Sequence, residues 1–197
     1  MERPALLTGQ TEPPSSDIES AIRQVKSGDS ETYTVIIRAF EKKIYTYCFC
    51  ILKSREEAED AVQDIFIKAY QELDRYEKRV SFSAWLYKIA YHHCLDQIRK
   101  QNRWQRLVSR YQEQVSSSSY MRRPNDAVQE LLQHLNQEET NLLLLKAVEQ
   151  YSFEEIGQIT GCKPTTLRKK YERLRKKLIE HHNLGGGIVY GEMAGTT

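Results

Sequence analysis

The sequence lacks long apolar runs, closely paired cysteines and enzyme motifs. No stretch approaches the roughly 20 apolar residues of a membrane-spanning helix, and the first residues show no basic segment followed by an apolar core. We therefore expect a cytoplasmic protein with no direct membrane insertion. No pair among its four cysteines has C-x-x-C spacing, and neither a Walker motif nor H-E-x-x-H occurs. We expect no enzymatic activity and no cofactor.

One short cluster, His92-His93-Cys94, resembles a metal-binding sequence. Adjacent residues on a helix point about 100° apart, so these three side chains cannot all face one ion. Packing residues in a reducing compartment are the favoured interpretation. We predict no metal site.

Charge is strongly segregated along the chain, although 29 basic and 27 acidic residues leave a net charge of only +2. The segment from Glu56 to Asp64 contains acids and no base. The segment from Lys163 to Lys177 is strongly basic and contains a single acid, Glu172. Such separation predicts two partner surfaces of opposite charge.

Apolar residues recur at spacings of three and four, and no convincing strand alternation is present. We predict an all-α fold with two helical domains, residues 17–101 and 126–182, joined by a flexible linker at 102–125. The linker contains four consecutive serines and Pro124, and we expect helicity to persist into it to about Tyr111. We expect residues 1–16 to be disordered and the glycine-rich segment 183–197 to be a flexible tail.

Residues 152–178 have the pattern of a helix-turn-helix. Ser152 and Glu155 have the spacing of a capping box, and Gly161 can end the first helix in a tight turn. Pro164 suits the first turn of the next helix. Gly157 is small where that second helix could cross closely. This order of signals predicts a DNA-binding helix pair.

The second helix has an apolar side and a basic side. At 100° per residue, its apolar residues fall within a sector of about 60°: Leu167, Tyr171, Leu174 and Leu178. A basic outer face suits the major groove, where Arg and Lys contact phosphates and guanine edges. The alternative is a solvated charged helix. The predicted DNA-binding residues lie toward the N-terminal half of the helix: Thr165, Arg168, Lys169, Glu172 and Arg173.

Two blocks of the chain resemble a known family. The first block carries Ala58-Glu59-Asp60, Val62-Gln63-Asp64, Ser81-Phe82 and Ala84-Trp85-Leu86-Tyr87. It resembles the second conserved domain of bacterial sigma factors, particularly the extracytoplasmic-function (ECF, group 4) sigma factors of RNA polymerase. The second block, Leu135 to Leu178, resembles their fourth domain. Together the two blocks cover roughly residues 18–101 and 126–180.

The resemblance implies a docking role for the acidic helix. In the family this helix binds the clamp helices of the largest subunit of core RNA polymerase, and the matching residues are Asp60, Gln63 and Asp64. Helical geometry supports two faces independently. Positions 60, 63, 64 and 67 share one face, whereas positions 58, 62, 65 and 69 share another. A macrodipole effect would explain acids at the helix start but not Asp64, two turns in.

The resemblance also implies recognition of promoter DNA at the −10 element. In the family the loop before the Trp-containing helix, here 75–83, captures a flipped base. On that helix Lys88, His92 and Arg99 fall within a sector of about 40°, and Trp85 lies beside them. Cations and an aromatic ring suit single-stranded DNA, although Trp85 is equally suited to the core. Trapping flipped bases promotes melting without covalent chemistry by this chain.

Three departures from the family pattern are visible. Asn136 stands where Pro is common, Gly157 replaces a usual Ala, and His92-His93 replaces a more basic pair, which leaves the −10 contacts open. The resemblance further implies an anti-sigma factor as a partner. The alternatives are a stand-alone helix-turn-helix transcriptional regulator, which leaves the Asp60–Asp64 face unexplained, and a nucleic-acid enzyme, for which no motif is present.

Overall fold

The computed structural model describes residues 15–108, 132 and 134–185. All of the regular elements in these ranges are helical, which confirms the all-α prediction. Contacts divide the chain into two compact units, with the boundary between Arg106 and Leu107. Of the segment 1–16 predicted to be disordered, residues 1–14 lie outside the described residues, whereas residues 15 and 16 already belong to the first helix. Most of the linker at 102–125 and most of the tail at 183–197 also lie outside the described residues, although residues 183–185 are helical. None of the described helices is long and apolar enough to cross a membrane.

From residue 15 onward, the N-terminal unit consists of four α-helices and two short 3₁₀ turns. The α-helices are α1 (Ser15–Lys26), α2 (Tyr33–Leu52), α3 (Arg55–Gln71) and α4 (Phe82–Val108). The 3₁₀ turns, Ser30–Thr32 and Leu73–Arg75, follow α1 and α3. Helix α4 continues into the segment assigned to the linker, because residues 101–108 contain neither glycine nor proline to end it.

Local signals fix where α3 begins. Lys53 ends α2 in the left-handed conformation with φ of 59°, and its N–H donates to the Phe49 carbonyl. Ser54 then caps α3, because its hydroxyl accepts the Glu57 N–H. This tight reversal packs α3 closely against α2. It also sets which face of α3 remains exposed.

The core of the N-terminal unit is formed by apolar residues from all four helices. Ile36, Ile44, Ile65 and Leu86 are completely buried, and each contributes roughly 1.5–3 kcal/mol relative to an exposed position. The thiol of Cys94 on α4 donates to Cys48 Sγ on α2 over 3.7 Å. Cys94 is thus part of the packing between α2 and α4.

The described residues of the C-terminal unit include three α-helices: α5 (Gln137–Leu143), α6 (Phe153–Thr160) and α7 (Pro164–Gly185). A π-helical turn, Leu144–Val148, continues directly from α5. Asn136 caps α5 in a complete capping box with Glu139. The side-chain cap therefore starts α5 where the family commonly has a proline.

The core of this unit holds α6 against α7. Leu145, Ile156 and Ile159 are at most 1% exposed, as is Leu174 on α7. Leu167 is also buried. Because these side chains come from the π-helical turn and from both later helices, they fix the angle at which α7 leaves the turn.

Candidate functional site

Helix α3 has the two faces that its sequence predicts. Ala58, Val62, Ile65 and Ala69 are buried in the N-terminal unit. The other face is exposed and carries the three predicted docking residues with one apolar neighbour: Asp60, Gln63, Asp64 and Ile67. This division leaves a carboxylate-bearing surface free for a basic partner.

Helix α4 borders this acidic face. His93 Nε2 lies 3.9 Å from Asp64 Oδ2, and the Gln101 side-chain amide donates to Glu57 Oε1 over 2.5 Å. Burial lowers the pKa of His93 below its usual value. The nearby Asp64 carboxylate raises this pKa only in part, and Lys68 lowers it further. The imidazole is therefore largely uncharged near neutral pH and does not neutralise Asp64.

An apolar groove of about 660 Å³ opens between α2 and α3 beside Gln63. Its apolar walls are Tyr33, Ile37, Val62, Phe66, Ile67 and Tyr70. Ile67 is 56% exposed and Tyr70 is 45% exposed, so both leave apolar surface open at the groove. The acidic face thus continues into an apolar one, which the charge pattern alone did not indicate.

The loop between α3 and α4 is tied to α1. The Lys26 ammonium donates to the carbonyls of Asp74 and Tyr76 over 3.3 and 2.8 Å. The Tyr76 hydroxyl lies 3.1 Å from both Glu19 Oε1 and the Val80 carbonyl. The loop is therefore held in one conformation, with three exposed cations on it: Arg75, Lys78 and Arg79.

The predicted −10 residues on α4 differ in their surroundings. Lys88, His92 and Arg99 are exposed, whereas Trp85 is partly buried and packs on the rings of Tyr76 and Phe82 at 5.4 Å. Burial and the nearby Lys88 lower the pKa of His92. Lys88 and Arg99 therefore supply the positive charge of this stripe near neutral pH.

Trp104 was missed by the sequence reasoning. It lies near the end of α4 and is 68% exposed, far more than Trp85. Its neighbours in sequence include the exposed residues Lys100 and Arg103. The basic composition around it is a usable signal, but the sequence pattern places residue 104 in the linker.

Replacing His93 with glutamine is expected to flatten the pH dependence of stability. Since the folded state lowers the pKa of His93, the unfolded chain binds a proton first as the pH falls below about 6.5. Stability at pH 7.5 is therefore lost on acidification toward the folded pKa. Urea unfolding of wild type and H93Q at pH 7.5 and 5.5 measures this loss. H134Q is the control, since it makes the same exchange in the other unit and should lose as much stability as wild type. If H93Q also loses as much stability as wild type between pH 7.5 and 5.5, His93 does not cause the pH dependence.

The helix-turn-helix signals of the C-terminal unit are all realised. Ser152 Oγ accepts the Glu155 N–H, and the Glu155 carboxylate accepts the Ser152 N–H over 2.8 Å. Gly161 ends α6 with φ of 76°, and Pro164 begins α7. A Cβ on Gly157 would lie only 2.8 Å from the Cys162 carbonyl oxygen. The close approach expected at Gly157 is thus made by the turn backbone.

All five predicted DNA-binding side chains lie on the exposed side of α7: Thr165, Arg168, Lys169, Glu172 and Arg173. On the other side, Leu167 and Leu174 are buried, while Tyr171 and Leu178 are partly buried. The predicted division of this helix is therefore confirmed. It presents a row of cationic side chains on a rigid scaffold.

Several of these cations are paired with acids from the preceding helices. Arg168 binds Glu154 over 2.8 Å. Lys170 binds Glu138 over 2.5 Å, and Lys177 binds Glu139 over 2.8 Å. Glu138, Glu139 and Glu154 all lie in the first turns of α5 or α6. Sequence reasoning assigned them no role, because contacts between helices are not visible in spacing.

Two family models match this chain. The Sigma-70 region 2 model matches residues 36–105, and the Sigma-70, region 4 model matches residues 125–178. The ECF RNA polymerase sigma factor SigW of Bacillus subtilis is 31% identical over 183 residues, which cover 82% of this chain and 96% of SigW. The sigma-E factor of Haemophilus influenzae is 22% identical, with 81% and 92% covered.

Two solved structures share the fold. The sigma factor RpoE in complex with the anti-sigma factor NepR, from Bartonella quintana, superposes with a TM-score of 0.64 and 21% identity over 75% of this chain and 94% of RpoE. CnrH in complex with the cytosolic domain of CnrY gives 0.63 and 19% identity over 86% and 98% of the two chains. Because both identities are low, these two structures support only the fold of the helical units.

Proposed function

The chain belongs to the ECF sigma factors of RNA polymerase, and from this premise we propose how its surfaces carry out transcription initiation. As an alternative sigma factor, it binds core RNA polymerase and directs it to promoters. We assign residues 17–101 to sigma domain two and residues 126–182 to sigma domain four. The chain catalyses no reaction itself and acts in the cytoplasm, where its polymerase and DNA partners are.

The polymerase-docking surface in this proposal is the exposed face of α3. Asp60, Gln63 and Asp64 contact the clamp helices of the largest subunit, and the acids attract a basic partner over a distance. The neighbouring groove adds an apolar contact through Ile67 and Tyr70. Desolvated apolar and aromatic anchors typically contribute most of the energy at an interface, while charges set its specificity.

The −10 surface combines the anchored loop with α4. Residues 75–83 receive a flipped base of the non-template strand, and Lys88, His92 and Arg99 follow the strand backbone. Trp85 supports the loop from below through its contacts with Tyr76 and Phe82 and presents a remaining edge to DNA. A preorganised loop lowers the entropy cost of capturing a base, and the captured base keeps the strands apart.

The −35 surface is the exposed side of α7. Thr165, Arg168, Lys169 and Glu172 face base edges in the major groove, and Arg173 joins them on the same side. Guanine offers two acceptors to an arginine fork. The contacts between α6 and α7 hold this helix at one angle, so the readout has a fixed register.

We also propose an anti-sigma factor as regulator. The RpoE and CnrH structures each contain a sigma factor bound to a partner protein, NepR and the cytosolic domain of CnrY respectively. A protein that covers the α3 face and the α7 face would block polymerase and DNA at once.

The family match across both units, together with the exposed acids on α3, carries this proposal. Run-off transcription tests it with purified core polymerase and a genomic promoter library, with and without the chain. We expect discrete transcripts that share −35 and −10 elements and appear only when the chain is present. A stand-alone transcriptional regulator would instead bind duplex DNA without core polymerase and give no such transcripts.

A further inference from the structure

Arg168 is held by two residues of the neighbouring helix. Its guanidinium Nη2 lies 2.8 Å from Glu154 Oε1, and its Cζ lies 5.7 Å from the centroid of the Phe153 ring. Phe153 and Glu154 are the first two residues of α6. Phe153 is fixed in turn, because its ring meets the Tyr171 ring edge-on at 5.8 Å. The flexible Arg168 side chain on α7 is thus held in place by two residues of α6.

We propose that Glu154 is a specificity-determining positioning residue that orients Arg168 for reading a guanine of the −35 element. The Phe153 ring supports one face of the guanidinium, and the carboxylate engages one edge. The remaining N–H donors stay available for guanine O6 and N7. This inference rests on the proposed −35 role of α7 and assigns a partner to its central arginine.

Other roles account poorly for the Glu154 carboxylate. The capping box of α6 is completed by Glu155, so Glu154 is not needed for it. In a helix-turn-helix the first helix crosses the DNA backbone, where an additional anion repels phosphates. A macrodipole effect would favour an acid here, but it would not require the acid to reach Arg168, 14 positions along the chain.

The exposure of the Arg168–Glu154 pair indicates that it orients Arg168 more than it stabilises the fold. The two side chains of this pair are 55% and 59% exposed, and exposed ion pairs contribute little to stability. Their contribution is conformational, because an arginine that is already oriented loses less freedom when it binds a base pair. Loss of Glu154 should therefore change base discrimination more than it changes folding.

The chain supplies a matched control for the test. Glu138 lies in the first turn of α5 and pairs with Lys170 of α7 over 2.5 Å. Replacing it with glutamine removes one acid from a helix start and one ion pair to α7. E138Q therefore reproduces the general effects of E154Q on charge, helix dipole and affinity for phosphates, without affecting Arg168.

The experiment uses holoenzyme assembled from core polymerase and the full-length chain. A promoter duplex randomised across the −35 element first selects the preferred sequence with wild type. Affinity is then measured for that duplex and for each single-base variant. We expect E154Q to lower the ratio of preferred to variant affinity about fivefold at one guanine position only. E138Q should shift all affinities together and leave the ratios unchanged.

Variants of Arg168 complete a double-mutant cycle with E154Q. R168K keeps the charge but removes the planar fork, so it should lose discrimination at the same position. Adding E154Q to R168K should then change nothing further. If R168K alters discrimination but E154Q alone does not, the positioning role is wrong. If R168K leaves every ratio unchanged, the base-reading role of Arg168 in the proposed function is wrong.

Discussion

Replacing both Asp60 and Asp64 with lysine is expected to weaken binding to core polymerase by at least about 100-fold. Both side chains are exposed on α3, and in the proposed function they face a basic helical partner. Reversal converts two attractive contacts into repulsive ones, and like charges across an interface cost several kcal/mol. The electrostatic attraction that speeds association is also lost.

Fluorescence anisotropy of the labelled chain with core polymerase measures this effect. Far-UV circular dichroism should be unchanged, because the buried face of α3 is intact. D17K/E31K makes the same charge change at two exposed acids outside α3 and should bind polymerase normally. Normal binding by D60K/D64K would show that the docking surface lies elsewhere.

Replacing Gly157 with valine is expected to destabilise the C-terminal unit by about 2 kcal/mol. The new Cβ would meet the Cys162 carbonyl oxygen at 2.8 Å and Pro164 Cγ at 3.5 Å. The nearer atom belongs to the backbone of the turn, so the strain cannot be relieved by rotating a side chain. The turn must move, and α7 begins directly after it.

The same change should displace α7 and abolish promoter-dependent transcription. Differential scanning calorimetry of the full chain should show one transition lowered by about 10 °C. Hydrogen exchange should rise in peptides from α6 and α7. Q158V is the matched control, since residue 158 is the next helical position and is exposed. If G157V melts like Q158V, the close approach at this glycine does not constrain the turn.

Several signals for the start and end of helices could be predicted from the sequence because they are local. Ser152, Glu155 and Gly161 act within one turn of the chain, and their spacing alone specifies a capping box and a helix end. The Asn136 cap uses the same rule and could have been found from Glu139 three residues on.

The last residues of α4 lie inside the segment that composition assigns to the linker. Serine and arginine predicted a linker from 102 onward with helicity persisting to about Tyr111, and α4 continues to Val108. No residue in that stretch stops a helix, and a helix already nucleated extends at little cost. The exposed Trp104 lies in this part of α4, and composition alone gives an aromatic residue in a linker no defined face.

The sequence by itself determined the helical class, the two-faced character of α3 and α7, and the family, because periodicity and motif spacing are properties of a single chain segment. Tertiary structure alone decided that Lys26 and Glu19 hold the loop between α3 and α4, that Ile67 and Tyr70 line a groove, and that Glu154 reaches Arg168. Each of these contacts joins different helices or loops. Their geometry follows from how the cores pack, and no local pattern encodes that packing angle.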